Sequence, residues 1–367
     1  MNSNSAEELK IVYPSGLSQE ELVAILSEEP LYRAKQAFTW LSRGVKSFEE
    51  MTNLPVVLRE RLAQRFNSQV RSSRVENEFS DKDGSLKLQI RLRDGAAVEC
   101  VLLEDIEGRK TACLSSQVGC AMGCAFCKTG TLGFLRNLGA DEIVEQFHHL
   151  RERCGFISNI VFMGMGEPLL NLYNLRKSIS ILSNPAGIGL SMRKITISTS
   201  GIVPGIIDLA KNGPTVRLAI SLTSANPDLR TELMPVNRKW PLDKLKSALL
   251  EYQKSTNDRI TFEVVLIGGL NVGERDAIEL AKWITPIKSQ VNLIPWNPIK
   301  GMPFKTPTVR QIEKFSQILL ERGIVTVRRM SRGRGVMGAC GQLGDTLSFC
   351  DLTLKPSDTL IKGANDR

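Results

Sequence analysis

Residues 111–127 read TACLSSQVGCAMGCAFC. Thr111–Ser115 is short and mostly apolar, as in a buried strand. The chain then enters a loop that carries Cys120, Cys124 and Cys127, with Gly119 and Gly123 permitting close backbone approach. Downstream, strand candidates at Asn159–Met163, Lys194–Ser198, Val216–Ser221, Ile260–Ile267, Val291–Ile294 and Ile324–Arg328 alternate with helical patterns. Those helices are expected at Asp141–Arg153, Leu172–Leu182, Pro204–Lys211, Leu242–Tyr252, Glu274–Trp283 and Val309–Glu321. The alternation predicts an α/β fold with a parallel sheet. About six βα units predict a partial (β/α)6 barrel rather than a full eight-stranded one. In such sheets the chemistry sits at the C-terminal strand ends.

Upstream the pattern differs. Ser18 and Glu21 make a capping-box signature for a helix through Leu26. Tyr32–Leu41 and Leu54–Phe66 carry apolar residues at helical spacing. Residues 1–75 are therefore expected to form a small helical accessory domain. Leu86, Leu88, Ile90 and Leu92 alternate with polar residues, Asp94-Gly95 marks a tight turn, and Val98, Cys100 and Leu102 alternate again. Residues 76–105 thus read as a β-hairpin linker, 106–345 as the core and 346–367 as a C-terminal extension. Glu99 lies on the strand face opposite Val98 and Cys100. There it is either a solvated edge residue or a placed acid–base group, and the local sequence favours the solvated one.

The 367-residue chain is 42% apolar and 24% charged, ordinary values for a globular protein with a sizeable core. Its net charge of +9 is unevenly placed. Residues 1–90 hold 12 Lys+Arg against 13 Asp+Glu, whereas residues 300–334 hold 9 against 2, ending in Arg328, Arg329, Arg332 and Arg334. Such a field attracts phosphate backbones, although a solvated basic surface gives the same count. The N-terminus lacks a secretory pattern and no apolar run is long enough to cross a bilayer, so a cytoplasmic protein with no membrane partner is expected. The eight cysteines are then more readily buried, metal-binding or catalytic than disulfide-bonded. Only two histidines occur, His148 and His149, so histidine chemistry and Cys/His zinc sites are poorly supplied.

Three thiolates within eight residues can hold one 4Fe–4S cluster and leave one iron open. An open iron can chelate the amino and carboxylate groups of S-adenosylmethionine (SAM), and electron transfer then releases a 5′-deoxyadenosyl radical. A zinc site would want a fourth ligand nearby, and none follows at ordinary spacing. Phe126 would shield a cluster from solvent. Gly166 and Glu167, in MGMGEP at 163–168, end the second strand, where the carboxylate can take the SAM amino group. Ser198 ends the third strand, Ser221, Leu222 and Thr223 the fourth, and Asn297 follows the strand at Val291–Ile294. All would face one rim, with hydroxyl and amide groups for ribose and adenine.

The strings CLSSQVGC (113–120), GFLRNL (133–138), GMGEP (164–168), STSG (198–201), NLIPWNP (292–298) and ACGQL (339–343) occur together, with MTNLP (51–55) in the accessory module. Over roughly residues 20–345 this resembles the radical SAM adenine-C2 methyltransferases that act on 23S ribosomal RNA and on tRNA. The resemblance implies a radical SAM barrel, a cluster on Cys120, Cys124 and Cys127, and SAM at Gly166, Glu167, Ser198, Ser221, Leu222, Thr223 and Asn297. It implies 23S rRNA and tRNA as partners, with an electron donor such as flavodoxin. It also implies roles for the other cysteines. One SAM methylates Cys340; a second yields the radical that takes a hydrogen from this methyl group. The resulting carbon radical adds to adenine C2. Cys113 then attacks the Cys340 sulfur, forming a transient disulfide that releases the methylated base. Glu99 matches the family's proton acceptor. The arginines flanking Cys340 are expected to lower its pKa and to contact phosphate. Cys100, Cys154 and Cys350 match no catalytic position.

Two places depart from the family. Gly333–Ala339 reads GRGVMGA, where an acidic Asp-Asp-Ile-Asp-Ala-Ala segment is common, and Thr223 stands where histidine is frequent. Two alternatives remain open: resistance-type methylation of C8 of the same ribosomal adenine, and a non-catalytic RNA-binding protein with structural zinc.

Overall fold

The computed structural model describes residues 13–329, 331–344 and 347. The start of the accessory domain, Cys350 and all of the C-terminal extension except Leu347 lie outside the described residues.

The strands are β1 (Arg74–Ser80), β2 (Leu86–Arg91), β3 (Ala97–Glu104), β4 (Lys110–Cys113), β5 (Gln117–Gly119), β6 (Phe134–Asn137), β7 (Asn159–Phe162), β8 (Ile195–Thr199), β9 (Arg217–Ser221), β10 (Ile260–Leu266), β11 (Ser289–Pro295) and β12 (Thr326–Arg328). The α-helices are α1 (Gln19–Ile25), α2 (Leu31–Ser42), α3 (Val56–Arg65), α4 (Lys128–Thr131), α5 (Ala140–Cys154), α6 (Leu172–Ser183), α7 (Val203–Asn212), α8 (Pro227–Leu233), α9 (Val236–Lys239), α10 (Leu242–Thr256), α11 (Glu274–Ile284) and α12 (Val309–Leu320).

Ten strands form one sheet in the order β1-β2-β3-β4-β7-β8-β9-β10-β11-β12, and β5 and β6 pair separately. From β4 onward every neighbouring pair is parallel. These strands are laid down in chain order. With right-handed crossovers all their helices therefore fall on one face, and the other face becomes the inside of a partial barrel. Ile160, Phe162, Ile195, Ile197, Leu218, Ile220, Phe262 and Leu293 are buried and form its core with the inner helix faces. The hairpin of β2 and β3 continues this sheet, because β3 pairs antiparallel with β4 and sets Val101 opposite Cys113. β1 was not expected. Its sequence, RVENEFS, is mostly exposed, and a charged edge strand needs no apolar face to be held.

In the accessory helices, Ser18 accepts from the Glu21 amide while the Glu21 carboxylate accepts from the Ser18 amide, completing the capping box. Leu22, Phe38, Phe48, Met51 and Leu58 are buried between these helices. Glu145 on α5 ties the module to the barrel. Its carboxylate accepts from Ser15 Oγ at 2.5 Å, the Ser72 amide at 2.8 Å, Ser72 Oγ at 3.1 Å, the Ser73 amide at 2.8 Å and Ser73 Oγ. Burial pushes Glu145 up to about 7 from 4.5, the hydrogen bonds opposing this.

The sign of the linkage follows. With its folded pKa above the unfolded one, Glu145 contributes most below pH 4.5, and that contribution is lost as pH rises through about 7. Glu145→Gln is expected to remove part of the pH dependence of urea unfolding over that interval. Glu145→Ala, which strands two amide donors, is expected to cost about 2–4 kcal/mol in the same measurement.

Candidate active site

The cluster loop hangs from the β5–β6 hairpin. Gly119 ends β5 at φ +74°, and a Cβ there would lie 2.0 Å from the Gly133 carbonyl, so only glycine fits. The Cys120 amide donates to that carbonyl at 2.7 Å, which closes the loop. Four further bonds fix the loop to distant segments. The Ala125 amide donates to Leu233 O at 2.9 Å and the Lys128 amide to Gly341 O at 2.7 Å. Thr129 Oγ1 donates to Leu343 O at 2.7 Å, and Trp296 Nε1 to Phe126 O at 3.1 Å.

Cys120, Cys124 and Cys127 line one wall of a cavity inside the barrel mouth. Burial pushes all three thiols up, Cys120 to about 12. A bound iron reverses this, because a coordinating thiol is deprotonated. Among the described residues no three Cys, His, Asp or Glu side chains converge on a single metal ion. Three thiols in one lining suit a cluster, in which each would meet a different iron. Phe126 is buried and lines the same cavity.

Across the cavity stand Gly166, Glu167, Ser198 and Ser221. Gly166 has φ +99°, and a Cβ would sit 2.5 Å from Gln117. Glu167 is buried; its carboxylate accepts from the Ser200 amide and Ser200 Oγ, both at 2.8 Å, and from the Leu169 amide at 3.2 Å. Burial raises its pKa while these bonds lower it. The site thus presents a buried carboxylate facing three thiols, which fits a cluster whose open iron takes the amino and carboxylate groups of SAM. Leu222 and Thr223 do not line the cavity. The Leu222 amide donates to Glu263 O at 3.0 Å and Thr223 O accepts from Asn271 Nδ2 at 2.9 Å, so their backbone shapes the end of β9.

Cys340 stands where this cavity meets a second one, lined by Cys113, Thr111, Ile106, Arg328 and Arg332. Asn297 lines both cavities and donates from Nδ2 to Cys340 O at 3.0 Å. Cys340 is exposed to these spaces. Contrary to the expectation from the flanking arginines, its thiol is pushed up, to about 11, by burial; only Arg329 pulls it down, and Glu263 opposes. Cys113 is raised to about 12, again chiefly by burial, with Cys340 adding to the rise and Arg329 opposing it. Arg332 donates to Asp83 O at 3.2 Å, and Arg334 is exposed.

Sequence reasoning missed Glu263 and the central place of Arg329. Arg329 Nη1 lies 3.8 Å from Glu263 Oε2 and 3.5 Å from Met163 Sδ. A lone glutamate in the apolar strand ITFEVVL was the available signal. Ser200 was hidden because its role is to hold Glu167. Glu99 is not solvated. It is fully buried, pairs with Lys87 at 3.0 Å, and accepts from the Gly344 amide at 2.7 Å. It lines neither cavity. The divergent segment before Cys340 is held by the β1–β2 turn: the Gly333 amide donates to Asp83 at 2.8 Å and the Gly335 amide to Asp81 at 2.7 Å. Cys100 is buried packing, and Cys154 lies near the surface with Sγ 3.4 Å from Phe156 O.

A cluster bound by three thiols keeps one iron for a ligand, and this barrel opens a cavity at that corner; the class so defined is the radical SAM enzymes. Residues 114–283 match the radical SAM superfamily, and residues 15–67 match the ribosomal RNA large subunit methyltransferase N-terminal domain. A probable dual-specificity RNA methyltransferase RlmN of Treponema denticola is 48% identical over 332 residues, covering 90% of this chain and 95% of that one. The dual-specificity RNA methyltransferase RlmN of Lawsonia intracellularis is 43% identical over 350 residues, covering 92% and 96%. The crystal structure of a radical SAM methyltransferase from Sphaerobacter thermophilus superposes with a TM-score of 0.87 at 41% identity, covering 91% of this chain and 99% of that one. The chain belongs to the RlmN family of radical SAM RNA methyltransferases, which work with a 4Fe–4S cluster and SAM. No helix among the described residues is long and apolar enough to cross a membrane.

Gly119→Ala is expected to displace Gly133 and open the cluster loop. Iron and sulfide content after anaerobic reconstitution should fall to a small fraction of wild type.

Proposed function

We propose that this enzyme methylates C2 of an adenosine in 23S rRNA and in tRNA, through a methylated Cys340 and a transient Cys113–Cys340 disulfide. The supporting observation is the position of Cys340 in the wall shared by the two cavities. One cavity carries the cluster cysteines and Glu167, and the other carries Cys113 and the arginines. A sulfur there can take a methyl group from one side and present it on the other. The word dual-specificity in the relatives' names supports two RNA substrates.

When bound, the cluster and SAM together supply a 5′-deoxyadenosyl radical. The chain's own residues do the rest. Glu167 receives the SAM amino group, Ser198 and Ser221 hold the ribose, and Gly166 lets the backbone approach. Leu222 and Thr223 fix the strand end, and Asn297 orients the Cys340 backbone. The Cys340 thiolate, favoured by Arg329, displaces S-adenosylhomocysteine and keeps the methyl group. After the methyl carbon has bonded to adenine C2, Cys113 attacks the Cys340 sulfur. The adduct first gives up one electron to the oxidised one-electron carrier and loses its C2 proton. The carbon–sulfur bond then breaks as the disulfide forms; its electron pair stays on the methylene carbon, and that carbon takes up a proton as the methylated base leaves. Glu99 is taken as the final acceptor of the C2 proton on the strength of the family resemblance. It lies outside both cavities, paired with Lys87, with its Oε2 on the Gly344 amide four residues beyond Cys340. The adenine leaves its stack to enter the second cavity. The enzyme acts in the cytoplasm with a one-electron donor such as flavodoxin.

The test is mass spectrometry of nucleosides from unmodified 23S rRNA and tRNA after anaerobic reaction with reconstituted protein, reductant and SAM. 2-Methyladenosine in both RNAs is expected; 8-methyladenosine would replace C2 by C8. Cys340→Ala is expected to abolish product, and Cys113→Ala to leave RNA covalently attached to the protein. Arg328→Ala and Arg332→Ala are each expected to weaken RNA binding and to reduce the slope of log affinity against log salt by about one.

A further inference from the structure

Arg230, on α8, is the largest fully buried side chain among the described residues. Its guanidinium donates only to neutral acceptors: Leu222 O at 3.2 Å, Ser200 O at 2.8 Å, Ser221 O at 3.4 Å and Asn237 Oδ1 at 3.0 Å. Among the described residues no carboxylate pairs with it, and the one charged group acting on it is Cys124. Burial lowers its pKa to about 10, so it remains a cation at neutral pH. A buried cation without a counter-ion is costly and is seldom kept unless an anion is supplied. The fold points to where that anion comes from. The last carbonyl of α8, Leu233 O, accepts from the Ala125 amide at 2.9 Å, which seats this helix against the loop between Cys124 and Cys127. Arg230 sits one helical turn before that carbonyl, so α8 carries the guanidinium beside the cluster loop.

We propose that Arg230 is the built-in counter-charge of the iron–sulfur cluster: its guanidinium balances the negative charge that the thiolates bring and that grows by one when the cluster accepts an electron, so it raises the cluster's reduction potential and couples cluster loading to folding. This rests on Cys120, Cys124 and Cys127 holding the cluster. Arg230 touches neither substrate nor reacting atoms; it acts through the cluster. The same guanidinium gathers the carbonyls at the ends of β8 and β9, so the charge and the SAM-facing strand ends are positioned by one side chain.

The test starts from reconstituted wild-type protein and its Arg230→Gln, Arg230→Lys and Asn237→Ala variants. Iron and sulfide are measured first, followed by a redox titration read by the electron paramagnetic resonance of the reduced cluster. In Arg230→Gln the ratio of reduced to oxidised cluster at the wild-type midpoint is expected to fall at least about tenfold, a one-electron shift of about 59 mV. Arg230→Lys keeps the charge and is expected to stay within about threefold of wild type. Asn237→Ala removes one acceptor but no charge and is expected to leave the midpoint unchanged. An unchanged midpoint in Arg230→Gln, or an equal shift in Arg230→Lys or Asn237→Ala, overturns the proposal. Urea unfolding of metal-free and loaded protein gives a second reading. The stabilisation gained on loading is expected to be smaller in Arg230→Met than in wild type, and an equal gain overturns the coupling. Wild-type protein that binds no iron would remove the cluster assignment and this proposal with it. A loaded wild type whose potential ignores Arg230→Gln removes only the proposal.

Discussion

A pair of hydrogen bonds joins the beginning of the barrel to its end: the Lys128 amide to Gly341 O, and Thr129 Oγ1 to Leu343 O. A partial barrel has no ladder between its outer parallel strands, so the loops after them must meet by other means. Here the loop that follows the first βα strand grips the loop that follows the last. The contact spans 214 residues of sequence, yet it decides the chemistry. It brings Cys127 and Cys340 to one cavity, and Trp296 and Asn297, just after β11, complete the join. Without it the cysteine loop at 120–127 and the Cys340 loop would have no fixed distance.

The sequence made the barrel legible because buried parallel strands and amphipathic helices write strong periodic patterns. Every strand expected from Thr111–Ser115 to Ile324–Arg328 is present within a few residues, and so are the six helices between them. β1, β5 and β6 were not legible. An exposed edge strand is under no apolar constraint, and a three-residue strand beside a cysteine loop is too short to show a period. The N-terminal capping box was readable because both its bonds are local.

Site residues divided along the same line. Cys120, Cys124, Cys127, Gly166 and Glu167 sit in compact motifs, so their neighbourhood could be read from spacing, and the structure brings them to one cavity. Glu99 misled local reasoning, because its partners Lys87 and Gly344 come from another strand and from the far end of the core. The flanking arginines misled it in the opposite sense: four lie close in sequence to Cys340, but only Arg329 acts on the sulfur, and burial outweighs it. Charge counted along a chain says little about field at an atom when desolvation is the larger effect.

The β1–β2 turn and the Cys340 loop form a compensating pair. Where relatives of the family often carry aspartates before this cysteine, the chain offers bare amides, and Asp81 and Asp83 supply the carboxylates from the other end of the sheet. A Cβ at Gly335 would come within 2.8 Å of an Asp81 oxygen. A chimera that grafted the acidic segment alone would keep the backbone amides but set new carboxylates against Asp81 and Asp83. An acidic segment before Cys340 would therefore call for a matching loss of charge in the β1–β2 turn.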